Sequence, residues 1–220
     1  MLESLKNKKI LILAAHPDDE TLSMGGTIAR LSESGCKIKL ITFTDGTSSR
    51  GKLGNRNASL ERVSEILGIN SYVSGKFPDN ALDSVPLLEV VKFIEINVGY
   101  SPDIIFTHSI DDLNVDHQIV FKATLTAFRP QHGLKHKIYS FFVPSATDYN
   151  PLGNFRNTTY VEISDEQAEK KAAALKVYHD EMRPHPHTRS YKNIKNISAV
   201  LGSQVGIPFC EGFQLIREVL

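Results

Sequence analysis

Cysteine is scarce in this chain of 220 residues: there are two, Cys36 and Cys210, far apart and without CxxC spacing. This argues against a disulfide framework and for free thiols in a reducing compartment, so a cytoplasmic protein is expected. An excess of one charge is also missing. Lys plus Arg and Asp plus Glu both number 25, for a formal net charge of zero, which argues against a mainly electrostatic nucleic-acid binder. No apolar run approaches the roughly 18–20 residues of a membrane span. The stretch at residues 10–15 is too short for a signal segment and runs straight into charged residues. There is no linker, repeat or low-complexity tract, and the length suits one domain over residues 1–220.

What is present is a strand–helix alternation. Residues 9–15 (KILILAA) read as a strand buried on both faces. Gly25-Gly26 opens a helical pattern over 27–34, ended by Gly35, and residues 37–43 (KIKLITF) form a second strand. Such a βαβ unit implies a right-handed crossover and a parallel sheet. After a Gly/Ser-rich loop over 44–55, helices are expected over 56–67, 86–98 (with Pro86 in the first turn) and 117–128. Two more are expected from a Ser164/Gln167 capping box to about 178, and over 191–201. Strands are expected at 71–73, 103–107, 138–143, 159–163 and 213–216. The fold class read from this alternation is α/β, one domain with a mostly parallel sheet.

In such sheets ligands bind beyond the carboxyl ends of the strands. The first strand is followed by His16, Asp18, Asp19 and Glu20, the second by Thr44-Asp45-Gly46, and the strand ending at Thr107 by His108, Asp111, Asp112, Asn114, Asp116 and His117. A catalytic zinc site takes three nitrogen or oxygen ligands and leaves one position open. His16, Asp19 and His117 can supply that set, with Asp18 left beside the ion as a base. A plain helix N-cap would account for the carboxylates of His16-Pro17-Asp18-Asp19-Glu20 but not for His16. The glycines are wrongly spaced for a dinucleotide fingerprint. Asp18 and Asp19, being adjacent, fit poorly as a glycosidase pair.

The segment from Ala15 to Glu20, with Gly25-Gly26, Thr44-Asp45-Gly46, Asp116-His117, Arg129-Pro130 and His187-Thr188-Arg189-Ser190, resembles the LmbE/PIG-L family of zinc-dependent N-deacetylases across nearly the whole chain. The resemblance implies a Rossmann-like, three-layer α/β/α fold and hydrolysis of an N-acetylated amino sugar, with Zn2+ (or another divalent ion such as Fe2+) on His16, Asp19 and His117 and with Asp18 as general base. It leaves room for a homo-oligomer. Better-known members carry a His where this chain has Asn114, so the proton donor must be sought elsewhere: in Asp18 itself, or in His185 or His187, of which His187 is favoured as the active-site residue. Asp45, Arg56, Asp112, Asn114 and Arg189 are substrate-binding candidates, Asp112 also as a group behind the ligands. Glu211 stands open between packing and pocket. Arg50, Lys52 and Arg56 would suit a nucleotide-linked sugar, and the 111–117 pattern resembles a subgroup tied to surface-polysaccharide sugars. A two-metal phosphoesterase and a non-catalytic sugar-binding protein are the competing expectations.

Overall fold

Residues 10–15 are fully buried, most of them within β1 (Lys9–Ala14). Their alternation lays down the layers, because successive side chains of a strand point to opposite faces. Ile10, Ile12 and Ala14 join a core with α1 (Asp19–Glu33), α2 (Arg56–Leu67) and α5 (Asp165–Val177). Leu11, Leu13 and Ala15 join a second core with α3 (Leu87–Val98) and α4 (Val115–Ala127) on the other face. The computed structural model describes residues 5–46, 56–130, 133 and 135–219, apart from the side chains of 56 and 57.

The sheet runs β3 (Ser71–Phe77), β2 (Lys37–Thr44), β1, β4 (Ile104–Thr107), β5 (Lys137–Phe141), β7 (Cys210–Arg217) and β6 (Thr159–Glu162). The first five strands are mutually parallel, and β7 is antiparallel to both β5 and β6. This is the expected three-layer, mostly parallel α/β fold. Strand order reverses at β1, which pairs with β2 on one side and β4 on the other. A crevice opens at such a reversal because the flanking connections leave to opposite faces. α6 (Tyr191–Val205) packs beside β7. No helix among the described residues is long and apolar enough to cross a membrane.

Several boundaries differ from expectation. The first helix begins at Asp19, so Gly25-Gly26 lies inside it. A kink at Met24 (φ −142°, ψ 24°) divides α1 just before the pair. Beyond the kink, Glu211 from β7 accepts the N–H groups of Gly26 (3.1 Å) and Thr27 (2.6 Å), as an N-cap acceptor would. Lys171 of α5 pairs with that buried carboxylate at 2.6 Å. A Cβ on Gly26 would lie 2.9 Å from the Ile163 side chain, so only glycine admits this approach. The helical pattern read from 27 onward is thus the second segment of a longer, broken helix. Glu211 belongs to its support and not to the main cleft.

β3 extends to Phe77, well past the expected end at 73. Pro86 is the N-cap of α3 and not its first residue. The capping box at α5 forms: Ser164 Oγ accepts from Gln167 N–H, and Gln167 Oε1 accepts from Ser164 N–H.

Candidate metal centre

The turn after β1 places His16 and Asp19 together, because Asp19 opens α1 while His16 still belongs to the strand exit. Asp19 Oδ2 accepts from His16 N–H at 3.0 Å, which closes the turn. His117 arrives from the first turn of α4, whose N-cap, Asn114, accepts from Asp116 N–H. Three atoms then converge. His16 Nδ1 lies 3.1 Å from Asp19 Oδ2, and His117 Nε2 lies 3.2 Å from each.

This triangle is what a tetrahedral ion requires: ligands at about 2.0–2.1 Å lie about 3.3 Å from one another. The outer nitrogens support the same reading. His16 Nε2 meets Asp116 Oδ2 at 3.0 Å and Asp79 Oδ1 at 3.3 Å, and His117 Nδ1 meets Asp112 Oδ2 at 3.0 Å. The His16 ring thus bonds outward to a carboxylate through Nε2, and His117 Nδ1 faces one at ion-pair distance without an aligned hydrogen bond, which leaves the other nitrogen of each ring to face inward, as in metal-ligating histidines. Asp19 Oδ1, fully buried, has no hydrogen-bond partner among the described residues. The donor set fits a divalent ion.

The carboxylates make the pocket a place for positive charge. Burial opposes a charge on His16, but Asp19 and Asp116 outweigh it and push its pKa up to about 10. Burial likewise opposes a charge on His117, and Asp19 and Asp112 push it up to about 9. Burial would raise the Asp19 pKa, yet His117 and His16 hold it well below the usual carboxylate range. His108 behaves differently. Burial and the neighbouring His117 push its pKa down. Its Nε2 accepts from Ala15 N–H at 2.8 Å, and its ring stacks on His117 with centroids 3.8 Å apart. Burial raises Glu20 to about 7. It accepts from Asp18 N–H and Thr21 Oγ1 and so braces the turn.

Asp18 is the N-cap of α1 but makes no side-chain cap bond. Its φ of 128° is a conformation that non-glycine residues rarely adopt. The carboxylate borders the cleft, 3.3 Å from Arg189 Nη1. The cleft, of about 400 Å3, is also lined by His16, Asp79, Asn80, Asn114, Tyr149, Arg183, His187 and Arg189.

The other expected residues divide. His187 and Asn114 line the cleft, and Arg189 does so while bonded to Ser145 Oγ and Asp18. Asp112 does not reach it. It is fully buried, and its carboxylate is committed to Asn114 N–H, Thr147 Oγ1 and His117, so it lies behind His117 and not on the cleft wall. Gly46 borders the cleft, but Asp45 is not among its lining residues. His185 is exposed and also absent from the lining. Arg50 and Lys52 lie outside the described residues, as does the side chain of Arg56, the first residue of α2.

Sequence reasoning gave no role to Asp79, Asn80, Asp116, Tyr149 or Arg183. Asp79 and Asn80 follow the true end of β3, and the premature end assigned to that strand hid them. Asp116 sits beside His117 in the sequence but turns to His16, and it also accepts from the N–H groups of Asn80 (2.7 Å) and Leu82 (2.9 Å).

Comparison with known proteins settles the family. The model described as PIG-L: GlcNAc-PI de-N-acetylase matches residues 11–128, more than half of the chain, including His16, Asp19 and His117. The chain belongs to this family. Its members include amidohydrolases of N-acetyl groups. A relative, the uncharacterised deacetylase YaiS of Escherichia coli K12, is 28% identical over 178 residues, spanning 78% of this chain and 90% of YaiS. The N,N'-diacetylchitobiose deacetylase of Pyrococcus horikoshii superposes with a TM-score of 0.74 at 21% identity, over 95% of this chain and 84% of that one. The 4-carboxy-2-hydroxymuconate hydratase of Pseudomonas putida also superposes, with a TM-score of 0.68 at 19% identity, over 97% and 98% of the two chains. Both structural likenesses concern the PIG-L fold alone, which carries more than one chemistry, so the reaction has to be argued from the site.

Proposed function

We propose that this protein hydrolyses the acetamide of an N-acetylated amino sugar, with one divalent ion held by His16, Asp19 and His117. The observation that carries the reading is the triangle of three inward-facing donors, with Asp18 beside it on the cleft wall. Zinc or ferrous iron bound there would act as a Lewis acid toward the amide carbonyl and lower the pKa of a water.

The chain's own groups supply the rest. Asp18 takes a proton from the attacking water and returns it to the departing amine, so no acid role falls to Asn114. Arg189 holds the Asp18 carboxylate from behind. His187 Nδ1 accepts the Arg189 N–H at 3.1 Å, so a neutral ring carries its proton on Nε2. That N–H is the donor assigned to the tetrahedral oxyanion. The N-acetyl sugar as substrate rests on the family description and the chitobiose deacetylase likeness.

A two-metal phosphoesterase would place a second ion among His16, Asp79 and Asp116, where donor atoms also cluster. His16 Nε2 would then have to give up the proton it directs to those carboxylates, and one ring would bridge two ions. The test is metal analysis together with incubation of zinc-loaded protein with N-acetyl sugars, free and phosphorylated, followed by mass spectrometry. One ion per chain and acetate release are expected. Asp18→Asn should lower kcat about 100- to 10,000-fold at unchanged metal content. Two ions with phosphate release, or full activity in Asp18→Asn, would overturn the scheme.

A further inference from the structure

The cleft holds a guanidinium for which the proposed reaction has no use. Arg183 borders the same cavity as His16 and Asp18. Its Nη1 donates to the carbonyl oxygens of Asp180 (2.7 Å) and Met182 (3.0 Å), which fixes the group against its own turn. Among the described residues, Arg183 forms no ion pair. Arg189 contrasts with it, lying 3.3 Å from Asp18 and 3.9 Å from Glu181. An arginine stays charged at every physiological pH and offers a planar fork of donors. Held by Nη1 alone, it keeps Nε and Nη2 for a guest.

Two apolar surfaces on the cleft wall complete the picture. Tyr149 is 47% exposed and Leu113 53%, and both line the cavity. Such surfaces suit the C–H face of a pyranose ring, while bidentate guanidinium contacts suit carboxylates and phosphates.

We infer that Arg183 is a specificity-determining residue that recognises an oxyanion, a carboxylate or phosphate carried by the N-acetylated sugar, so that the substrates are anionic amino sugars. This rests on the amidohydrolase reading for the sugar itself. It assigns anion recognition to Arg183 and its turn, a role that the sequence offered to Arg50, Lys52 and Arg56.

The test reads binding without turnover. In zinc-loaded Asp18→Asn protein, calorimetry compares N-acetylglucosamine, its 1-phosphate and N-acetylglucosaminuronic acid, with and without Arg183→Met. At least one anionic sugar is expected to bind about 10- to 100-fold more tightly than the neutral one. Arg183→Met should abolish that margin, bringing the anionic sugar to the affinity the same variant shows for the neutral one. The phosphate and uronate arms show which oxyanion is read. No margin in the parent protein, including no binding at all, overturns the inference, as does a margin that survives Arg183→Met. A wild-type protein that binds anionic sugars through Arg183 but releases no acetate would instead overturn the amidohydrolase reading.

Discussion

His117 owes its orientation to Asp112, which lies behind it at 3.0 Å and is itself held by Thr147 and the Asn114 N–H. A carboxylate in this position fixes the ring tautomer and makes the inner nitrogen a better ligand. Asp112→Ala should therefore weaken metal affinity about 10- to 100-fold, measured by competition with a chelating dye. Asn114→Ala, which alters the cleft wall and the α4 cap, should leave that affinity nearly unchanged. Residue identities were legible here, but directions were not. Asp112, Asp116 and His117 fall within six positions, and the sequence does not say that one carboxylate serves His117 while the other crosses to His16. The tight turns do: Asp112 accepts from the N–H two residues on, and Asp116 from two backbone groups of the segment after β3.

At the scale of elements, the buried strands were read well because β1 and β4 are continuous apolar runs with no competing pattern. β3 was read short because it is an edge strand, mostly exposed or half-buried, so its residues carry little hydrophobic signal. Asp79 disappeared with it. The broken α1 was hidden for another reason. Its kink depends on Glu211 and Lys171, respectively about 185 and 145 residues away along the chain, and no local propensity announces a cap supplied from β7. Glu211→Ala would leave the Lys171 ammonium buried without its partner and strip two helix N–H groups of their acceptor. A loss of about 3–5 kcal/mol is expected, seen as a lower midpoint in denaturant titration. Adding Lys171→Met should recover part of it, because a buried charge no longer lacks a counter-ion.

For the whole molecule, the centre joins segments that the sheet alone only lines up. β1 contributes His16 and α4 contributes His117, from opposite sides of the strand-order reversal. An ion bound to both would stabilise the native state by linkage, about 2.7 kcal/mol at a hundredfold excess over Kd. Removing metal with a chelator should abolish acetate release and lower Tm by roughly 5–10 °C. Both should return on adding zinc.

The backbone at Asp18 has a last consequence for anyone engineering this protein. A φ of 128° at a non-glycine residue costs about 1–3 kcal/mol, and glycine would relieve it. Asp18→Gly should accordingly melt about 2–4 °C above Asp18→Ala, which loses the same ion pair with Arg189 but keeps the strain, and both lack the group assigned to proton transfer. Of the variants that lose this carboxylate, a directed-evolution campaign scored only on survival of heating would keep glycine, sturdier than its rivals and inactive.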